Sequence, residues 1–302
     1  MIACVIKFHK EEDMAKILVT GANGGFGKLT VASLNKNGHT VVASMRDMSG
    51  RNKKAADELI GFGAKVIEMD VTLDSSVTAG VSRAIEITGG LDVVVNNAGI
   101  GVLGVQETFT PEDWQKLFNV NLFGVQRVIR AVLPHLREKK AGLLLQISSL
   151  LGRIAIPFYG PYNASKWALE AMSENYRVEL SGFGIDVALI EPGGYPTTFI
   201  NSLMTPSDTS RDATLGNMPQ DAKNFLHGFE QALAAHPAQN PQNVAEAIVK
   251  VIETPAGQRP FRTIVDKLGM GDAIQPYNEQ LEKISSGIYS AFGLGPMRKL
   301  KA

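Results

Sequence analysis

The feature that most constrains this chain is the alternation of short apolar runs with longer amphipathic segments. The apolar runs are rich in β-branched residues, and such alternation is typical of βαβ units, in which helices cover both faces of a parallel sheet. The runs at 142–148 and 185–191 are almost continuously apolar, as central strands should be. The sequence therefore predicts an α/β fold, a doubly wound parallel sheet of about seven strands, at 16–20, 40–45, 65–70, 91–96, 142–148, 185–191 and 262–266.

Capping signals place two of the helices. Thr110 and Pro111 supply an N-cap hydroxyl and a first-turn proline, which predicts one helix from 111 to about 138. Asn240 and Pro241 repeat this signal for a helix that reaches about 253. By contrast, the stretch 193–221 is rich in Pro, Gly, Ser, Thr and Asn without a sustained period, so we expect a loop or a loosely held lid.

No break in composition divides the chain. We expect residues 16–268 to form a single domain and residues 269–302 to form a C-terminal helix and tail. The first predicted strand begins directly after Met14 and Ala15, so residues 1–15 are interpreted as an N-terminal extension with no role in the fold.

Composition excludes several function classes. A chain of 302 residues with 44% hydrophobic residues can bury a large core, and its 30 basic and 30 acidic side chains cancel, so nothing attracts nucleic acid or an anionic membrane. No run of 18 residues lacks a charged side chain, and the apolar start is too short for a signal peptide. Cys4 is the single cysteine and shows no metal-ligand spacing with the five histidines. We expect a cytoplasmic protein with a small-molecule ligand, no metal, no nucleic acid and no membrane partner.

A glycine-rich turn joins the first strand to the first helix. Gly21, Gly25 and Gly27 occur where a tight turn, a close backbone approach to a pyrophosphate and close helix packing are needed. A plain strand-to-helix turn would also use glycine, so this motif alone does not decide the function.

The order of motifs along the chain resembles the short-chain dehydrogenase/reductase family, in its compact single-domain branch. The loop reads TGxxxGxG, and it is followed by Asn96-Asn97-Ala98-Gly99, by Ile147-Ser148-Ser149 and by Tyr162-x-x-x-Lys166. The stretch 43–47 and the long tail are similar to the hydroxysteroid and retinol dehydrogenases of that family. The resemblance implies a Rossmann fold and a nicotinamide dinucleotide bound by Gly21, Asn23, Gly25, Phe26, Gly27, Arg46, Asp70, Val71, Asn97, Ala98, Gly99, Tyr162, Lys166, Pro192, Gly193 and Thr197.

Four residues are candidates for catalysis. A lysine ammonium one helical turn from Tyr162 would stabilise its phenolate, so the tyrosine could exchange a proton with a carbonyl or alcohol oxygen. Ser149 would hydrogen-bond the same oxygen, whereas strand alternation turns the neighbouring Ser148 to the opposite face. The resemblance also implies that Lys166 binds the nicotinamide ribose and that Asn121 holds a water that relays protons from Lys166. A helical Asn is otherwise a local backbone competitor or a packing compromise.

The residues at the end of the second strand indicate the cofactor. NAD-dependent relatives carry an acidic residue there, but this chain has Met45 followed by Arg46, a group suited to a 2′-phosphate. Asn23 could add a polar contact to the same phosphate, whereas Asp47 could neutralise Arg46 in an ordinary surface pair. By resemblance, Asp70 would contact the adenine amino group. We therefore expect NADP(H).

The loops after the strands are apolar and aromatic, with Arg153 as their one spare cation. A lipophilic or neutral ketone, aldehyde or alcohol is the expected substrate, because a carboxylate or phosphate would need a dedicated cation. The predicted function is an NADP(H)-dependent oxidoreductase. The alternatives are a non-catalytic NADP-binding regulator, which should have lost Tyr162 or Lys166, and a nucleotide-sugar epimerase or dehydratase, which should have a larger C-terminal domain.

Two predicted helices carry more apolar positions than one packed face needs. They span 111–138 and 162–181, and in the resembling family these helices form the dimer interface. We expect a homodimer or homotetramer with two-fold symmetry built on them.

Overall fold

The computed structural model describes residues 14–301, so most of the predicted N-terminal extension lies outside the described residues. Seven parallel strands form one sheet in the order β3-β2-β1-β4-β5-β6-β7, which confirms the predicted fold class. The strands are β1 (Lys16–Val19), β2 (Thr40–Met45), β3 (Lys65–Glu68), β4 (Val93–Asn96), β5 (Gly142–Ile147), β6 (Ile185–Pro192) and β7 (Arg262–Val265). The late strand β7 pairs with β6 and forms one edge.

Helices cover both faces of the sheet. The described helices are α1 (Gly25–Lys36), α2 (Lys53–Gly61), α3 (Asp74–Thr88), α4 (Pro111–Phe118), α5 (Val125–Lys139), α6 (Gly160–Leu180), α7 (Met218–Ala235), α8 (Gln242–Glu253) and α9 (Met270–Ala291). Buried side chains of α1, α2 and α8 pack with one face of the strands. Those of α3, α5 and α6 pack with the other face.

Alternation within the strands supplies the two cores. In β1, Ile17 faces the core with α1, whereas its neighbour Leu18 faces the core with α3 and α5. Each fully buried side chain of this size stabilises the fold by about 1.5–3 kcal/mol relative to exposure. Because β1 lies between β2 and β4, the strand order reverses there. The connections that follow β1 and β4 lead to helices on opposite faces of the sheet, which leaves a crevice beyond the carboxyl ends of these strands.

The structure divides the predicted helix 111–138. Thr110 caps α4 as expected, with a reciprocal bond to Asp113, but a π-helical turn (Asn119–Gly124) separates α4 from α5. Such turns insert one residue into the helical ladder and occur often at functional sites. The predicted extent is confirmed, because helical backbone runs without a gap from Pro111 to Lys139, but capping signals mark only the ends of a helix and do not indicate the π-helical turn within it.

The predicted loop 193–221 is only partly irregular. Its last residues belong to α7, which begins at Met218 with Pro219 in its first turn, a signal that the sequence interpretation missed. The loop is also tied down in its middle. Met204 exchanges backbone hydrogen bonds with Gly101 and Leu103 at 2.9 and 3.0 Å, and Ser207 donates through its backbone and its hydroxyl to Asp113 at 3.0 and 2.8 Å.

Residues 14–301 contain neither a membrane-spanning helix nor a cluster of metal ligands. None of the helices there is long and apolar enough to cross a membrane. Nor does that part of the chain gather three or more His, Cys, Asp or Glu side chains in an arrangement suited to a metal ion.

Candidate active site

A cavity of about 540 Å³ lies at the carboxyl ends of the strands. Of the predicted catalytic residues, Ser149, Tyr162 and Lys166 line it. All the predicted cofactor-binding residues except Gly27 line it too, namely Gly21, Asn23, Gly25, Phe26, Arg46, Asp70, Val71, Asn97, Ala98, Gly99, Tyr162, Lys166, Pro192, Gly193 and Thr197. The topology thus brings together residues that are more than 170 positions apart in the chain.

The glycine-rich turn forms a cradle that side chains would fill. A Cβ on Gly27 would lie 2.5 Å from the carbonyl oxygen of Gly21 and 2.6 Å from Nδ2 of Asn97, so only glycine fits. Gly24 is the N-cap of α1 and has no side chain to cap it. The first N–H groups of α1 therefore remain suited to an anion, which is the donor set that a dinucleotide pyrophosphate requires.

Asn97 fixes this turn to the end of β4. Its side-chain Nδ2 donates to the carbonyl oxygens of Thr20 and Gly21, each at 3.0 Å. The backbone N–H groups of Asn97 and Ala98 both donate to the Thr20 hydroxyl, also at 3.0 Å. The two adjacent strand ends are thereby locked together, and the glycine turn is held against the crevice.

Ser149 follows β5 and begins a short 3₁₀ turn. Its hydroxyl accepts a hydrogen bond from the backbone N–H of Leu151 at 3.1 Å, and it lies near enough to the Tyr162 phenol to lower the pKa of that group. Ser148 also lines the cavity, but its buried hydroxyl has no hydrogen-bond partner among the described residues. The preference for Ser149 over Ser148 agrees with this geometry.

Tyr162 and Lys166 lie one turn apart in α6. The Lys166 ammonium is 5.6 Å from the centre of the Tyr162 ring, and it donates to the carbonyl oxygen of Ile147 at 2.7 Å. Burial raises the pKa of the Tyr162 phenol well above its ordinary value, although the neighbouring Ser149 hydroxyl opposes this shift. Burial also lowers the pKa of Lys166 to about 8. In this structure burial therefore outweighs the stabilisation of the Tyr162 phenolate that the sequence leads us to expect from Lys166.

Asn121 lies within the π-helical turn, and its side chain joins that turn to Ile100 and to Ser165. Its Oδ1 accepts from the Ile100 N–H, and its Nδ2 donates to the Ile100 carbonyl, both at 2.9 Å. Nδ2 also lies 3.1 Å from the Ser165 hydroxyl, next to Lys166 in α6. A Cβ on Gly99 would lie 3.5 Å from Asn121 Oδ1 and 4.0 Å from Lys166 Nζ, so both polar groups face the same space.

Arg46 stands at the far end of the cavity with its side chain 50% exposed. Its Nη1 lies 3.7 Å from Oδ2 of Asp70, whereas Asp47 accepts from the backbone N–H of Arg51 at 3.2 Å and pairs with its side chain. Asp47 therefore does not neutralise Arg46. Burial opposes ionisation of Asp70, but hydrogen bonds from Thr72 and the Arg46 charge together hold its pKa below the ordinary value.

The substrate end of the cavity differs in part from the predicted lining. Arg153 was expected to be a spare cation there, but it does not line the cavity. Its side chain is buried in contact with Glu170, Glu191 and Asn278. Among the residues described, Lys166 and Arg46 are the cations that line the cavity. Three apolar residues that the sequence interpretation missed complete the wall, namely Phe225, Phe229 and Met270. They come from α7 and α9, whose positions no local motif marks.

The comparisons with known proteins agree with this site. Residues 15–207 match the family described as short chain dehydrogenase. The chain belongs to the short-chain dehydrogenase/reductase family. A 3-ketodihydrosphingosine reductase of Bacteroides thetaiotaomicron is 35% identical over 83% of this chain and 88% of its own length. Human retinol dehydrogenase 8 is 34% identical over 79% of this chain and 78% of its own.

Solved structures show the same fold. A short-chain dehydrogenase from Streptomyces avermitilis superposes with a TM-score of 0.72 at 26% identity, covering 93% of this chain and 100% of that one. A Brucella melitensis 3-ketoacyl-(acyl-carrier-protein) reductase complexed with NADH has a TM-score of 0.67 at 26% identity, with 83% and 96% covered. A Thermococcus sibiricus alcohol dehydrogenase complexed with 5-hydroxy-NADP has 0.63 at 25%, with 83% and 95% covered. The protein is thus an oxidoreductase of hydroxyl or carbonyl substrates that uses a nicotinamide cofactor.

Proposed function

We propose that this protein is an NADP(H)-dependent reductase of a neutral, lipophilic ketone or aldehyde, which also oxidises the corresponding alcohol. The observation that carries the proposal is one continuous cavity with Ser149, Tyr162 and Lys166 on its wall and Arg46 at its far end. The cradle at Gly27 and the exposed N–H groups of α1 suit the pyrophosphate that joins the two halves of such a cofactor.

The bound nicotinamide supplies or accepts a hydride, and the residues of this chain manage the proton and the charge. The Tyr162 hydroxyl donates its proton to the substrate oxygen during reduction, and Ser149 hydrogen-bonds that oxygen and orients it. Because burial raises the pKa of Tyr162, the phenol is protonated near neutral pH, which is the form that reduction needs. The Lys166 ammonium then stabilises the phenolate that is left.

The substrate class follows from the lining. Phe199, Leu203, Phe225 and Phe229 surround the space beside Tyr162, and the Tyr162 and Phe199 rings lie 5.9 Å apart. Apart from Lys166 and Arg46, no cation of the described residues faces the cavity, so an anionic substrate lacks a dedicated partner. The relatives named for 3-ketodihydrosphingosine and for retinol support a carbonyl or alcohol on an apolar body.

The preference for NADP(H) rests on two neighbouring residues. Met45 ends β2 as a buried side chain and cannot accept a hydrogen bond from a ribose 2′-hydroxyl as a carboxylate would. Arg46 follows it with a guanidinium free to turn from Asp70 toward a 2′-phosphate. Asn23 lines the cavity as Arg46 does, and its Nδ2 donates to Oδ1 of Asn52 at 3.3 Å.

We also propose a symmetric assembly through the surface formed by α4, the π-helical turn and α6. Phe123 of the π-helical turn and Trp167 of α6 are 49% and 42% exposed, and a second copy of the chain would cover their apolar surface. These elements belong to the segments 111–138 and 162–181, for which the family resemblance implies the dimer interface.

The deciding experiment is turnover by the Tyr162→Phe variant. With NADPH and a panel of neutral ketones and aldehydes, wild type should reduce at least one, and this variant should lose about 10²-fold or more in kcat because the proton donor is gone. Cofactor affinity should change little. Tyr176→Phe is the matched control, since it removes a hydroxyl from the same helix outside the cavity. Binding of NADPH without turnover of any substrate would favour a non-catalytic NADP-binding regulator instead.

A further inference from the structure

Tyr159 brings a second phenol to the wall of the cavity. Its side chain lines the cavity and precedes Tyr162 by three residues. The chemistry described above uses the hydroxyls of Ser149 and Tyr162, but it gives no role to this one. The other side chains that complete the substrate end of the cavity are mostly aliphatic or aromatic, and they include Ile156, Phe199, Leu203, Phe225 and Phe229.

Two neighbouring rings orient the side chain of Tyr159. Its ring centre lies 6.4 Å from that of Tyr162 and 6.1 Å from that of Phe225, with interplanar angles of 65° and 72°. Edge-on aromatic pairs at such distances are favourable and fix the relative orientation of their rings. Tyr162 carries the proton for the proposed reaction, and Phe225 belongs to the apolar wall. Tyr159 contacts both, so a substrate whose carbonyl meets Tyr162 passes close to it.

A strained turn of the backbone sets the place of Tyr159. The preceding residue, Phe158, has a φ of 69°, which is unfavourable for any residue with a side chain. Its carbonyl accepts a hydrogen bond from the Gly104 N–H at 2.9 Å. Asn163 holds both sides of the turn, since its Nδ2 donates to the Ile156 carbonyl at 2.9 Å and its N–H donates to the Tyr159 carbonyl at 2.8 Å. Strain of this kind persists where the surrounding structure enforces it, and it is common at ligand sites.

The Tyr159 hydroxyl makes no hydrogen bond within residues 14–301. Tyr195 also lines the cavity, but its hydroxyl donates to the Val265 carbonyl at 3.2 Å. Burial raises the pKa of Tyr159, and the charge of Glu230 raises it further, so the phenol keeps its proton near neutral pH. Tyr159 is therefore a donor whose partner must come from whatever enters the cavity, either water or a ligand.

We propose that Tyr159 is a specificity-determining residue: its hydroxyl binds a second oxygen of the substrate, on the apolar body beyond the carbonyl that Ser149 and Tyr162 bind. The preferred substrate is then a lipophilic hydroxyketone rather than a ketone on a plain hydrocarbon body. This inference rests on the proposed function and narrows its substrate class. A hydrocarbon that covers the Tyr159 hydroxyl removes its water and returns no hydrogen bond, whereas a substrate oxygen replaces that bond.

The test compares dodecan-2-one with a set of its hydroxylated derivatives, in which a single hydroxyl is placed at successive carbons of the chain. The set is needed because the hydroxyl must reach Tyr159 while the carbonyl meets Tyr162. In wild type with NADPH, at least one derivative should exceed dodecan-2-one in kcat/KM by about 3- to 10-fold, the effect of one neutral hydrogen bond. In Tyr159→Phe this advantage should disappear, whereas kcat/KM for dodecan-2-one should stay constant or rise.

Tyr195→Phe is the control, because it removes a hydroxyl from the same cavity wall that already has a protein partner. Whatever its turnover, the ratio of kcat/KM between the best derivative and dodecan-2-one should equal that of wild type. Tyr159→Phe retains the ring that packs on Tyr162 and Phe225, and a packing defect would slow both substrates alike, so the ratio isolates the hydroxyl. Equal ratios in wild type and Tyr159→Phe, or a wild type that prefers no derivative, would overturn the proposal.

Failure of the proposed function gives a different result, because wild type then reduces neither dodecan-2-one nor any derivative. Calorimetric titration of the same compounds into protein saturated with NADP⁺ still tests Tyr159. The best derivative should bind about 3- to 10-fold more tightly than dodecan-2-one to wild type, and the two should bind equally to Tyr159→Phe. No preference in wild type, including no detectable binding of any derivative, would contradict the role of Tyr159 whether or not the protein turns over carbonyl compounds.

Discussion

Replacement of Arg46 by Ala tests the feature on which the cofactor preference depends. The guanidinium is half-exposed and rests 3.7 Å from Asp70, so it must leave this carboxylate to pair with a 2′-phosphate. Alanine removes that contact and leaves the buried Met45 and the glycine turn unchanged. We expect kcat/KM with NADPH to fall and kcat/KM with NADH to stay nearly constant.

The size of the effect follows from two opposing contributions. A hydrogen bond to a charged group contributes about 1.5–3 kcal/mol, but an exposed ion pair such as that with Asp70 contributes up to about 1 kcal/mol and is forfeited. The difference is about 0.5–2 kcal/mol, which corresponds to a preference for NADPH of about 2- to 30-fold. Because the site is at the rim of the cavity, the preference should also weaken as salt concentration rises.

The assay is a pair of kcat/KM values, with NADPH and NADH, for one reducible ketone. Arg51→Ala is the control, because Arg51 lies on the same turn but pairs with Asp47 and does not line the cavity. Equal use of both cofactors by wild type, or a loss in Arg51→Ala as large as that in Arg46→Ala, would refute the assignment of Arg46.

Three further predictions follow from the geometry. Gly27→Ala should abolish measurable NADPH binding in a fluorescence titration, since its Cβ would lie 2.5 Å from a backbone oxygen; retained affinity would contradict the cradle. In hydrogen-exchange mass spectrometry, NADPH should slow the exchange of the backbone amides of residues 193–203. The amides of residues 204–208 should exchange slowly with or without NADPH, because this stretch is already hydrogen-bonded to the rest of the protein. Light scattering should show a dimer or tetramer at micromolar concentration, and Phe123→Glu combined with Trp167→Glu should shift it toward monomer; a monomeric wild type would exclude the proposed interface.

The parts of the fold that could be predicted from the sequence are those with strong local signals. The strand at 142–148 was readable because both of its faces are buried, which makes nearly every residue apolar. The π-helical turn at Asn119–Gly124 could not be predicted in this way, because it depends on a hydrogen bond between Asn121 and the backbone of Ile100, 21 residues away. Likewise, the 18 residues of α7 have a modest apolar face and few capping residues, so their sequence shows no clear helical periodicity.

The site divides in the same way. Ser149, Tyr162 and Lys166 could be placed from fixed spacing because one strand and the helix after it position all three. The pKa values of these groups could not, because they depend on burial and on side chains brought in by β6, β7 and α9. Arg153 shows the difference most clearly: it follows Ser149 closely in the chain, yet it bonds with Asn278, 125 residues later, and does not line the cavity.

The elements that hold the proton-transfer groups differ from those that form the apolar wall of the cavity, and this difference bears on substrate range. The proton-transfer groups lie on the rigid sheet and α6, whereas Phe225, Phe229 and Met270 reach the cavity from elements that follow the main alternation of strands and helices. Changes in α7 and α9 can therefore reshape the apolar wall without moving Tyr162 or Lys166. Asn278 sets a limit to that freedom, because it belongs to α9 and also bridges Arg153 and Glu191. A shift of α9 large enough to break those two bonds would disturb the buried ion pair of Arg153 and Glu191. The start of α9 can therefore vary with the substrate, whereas its third turn stays fixed to the core.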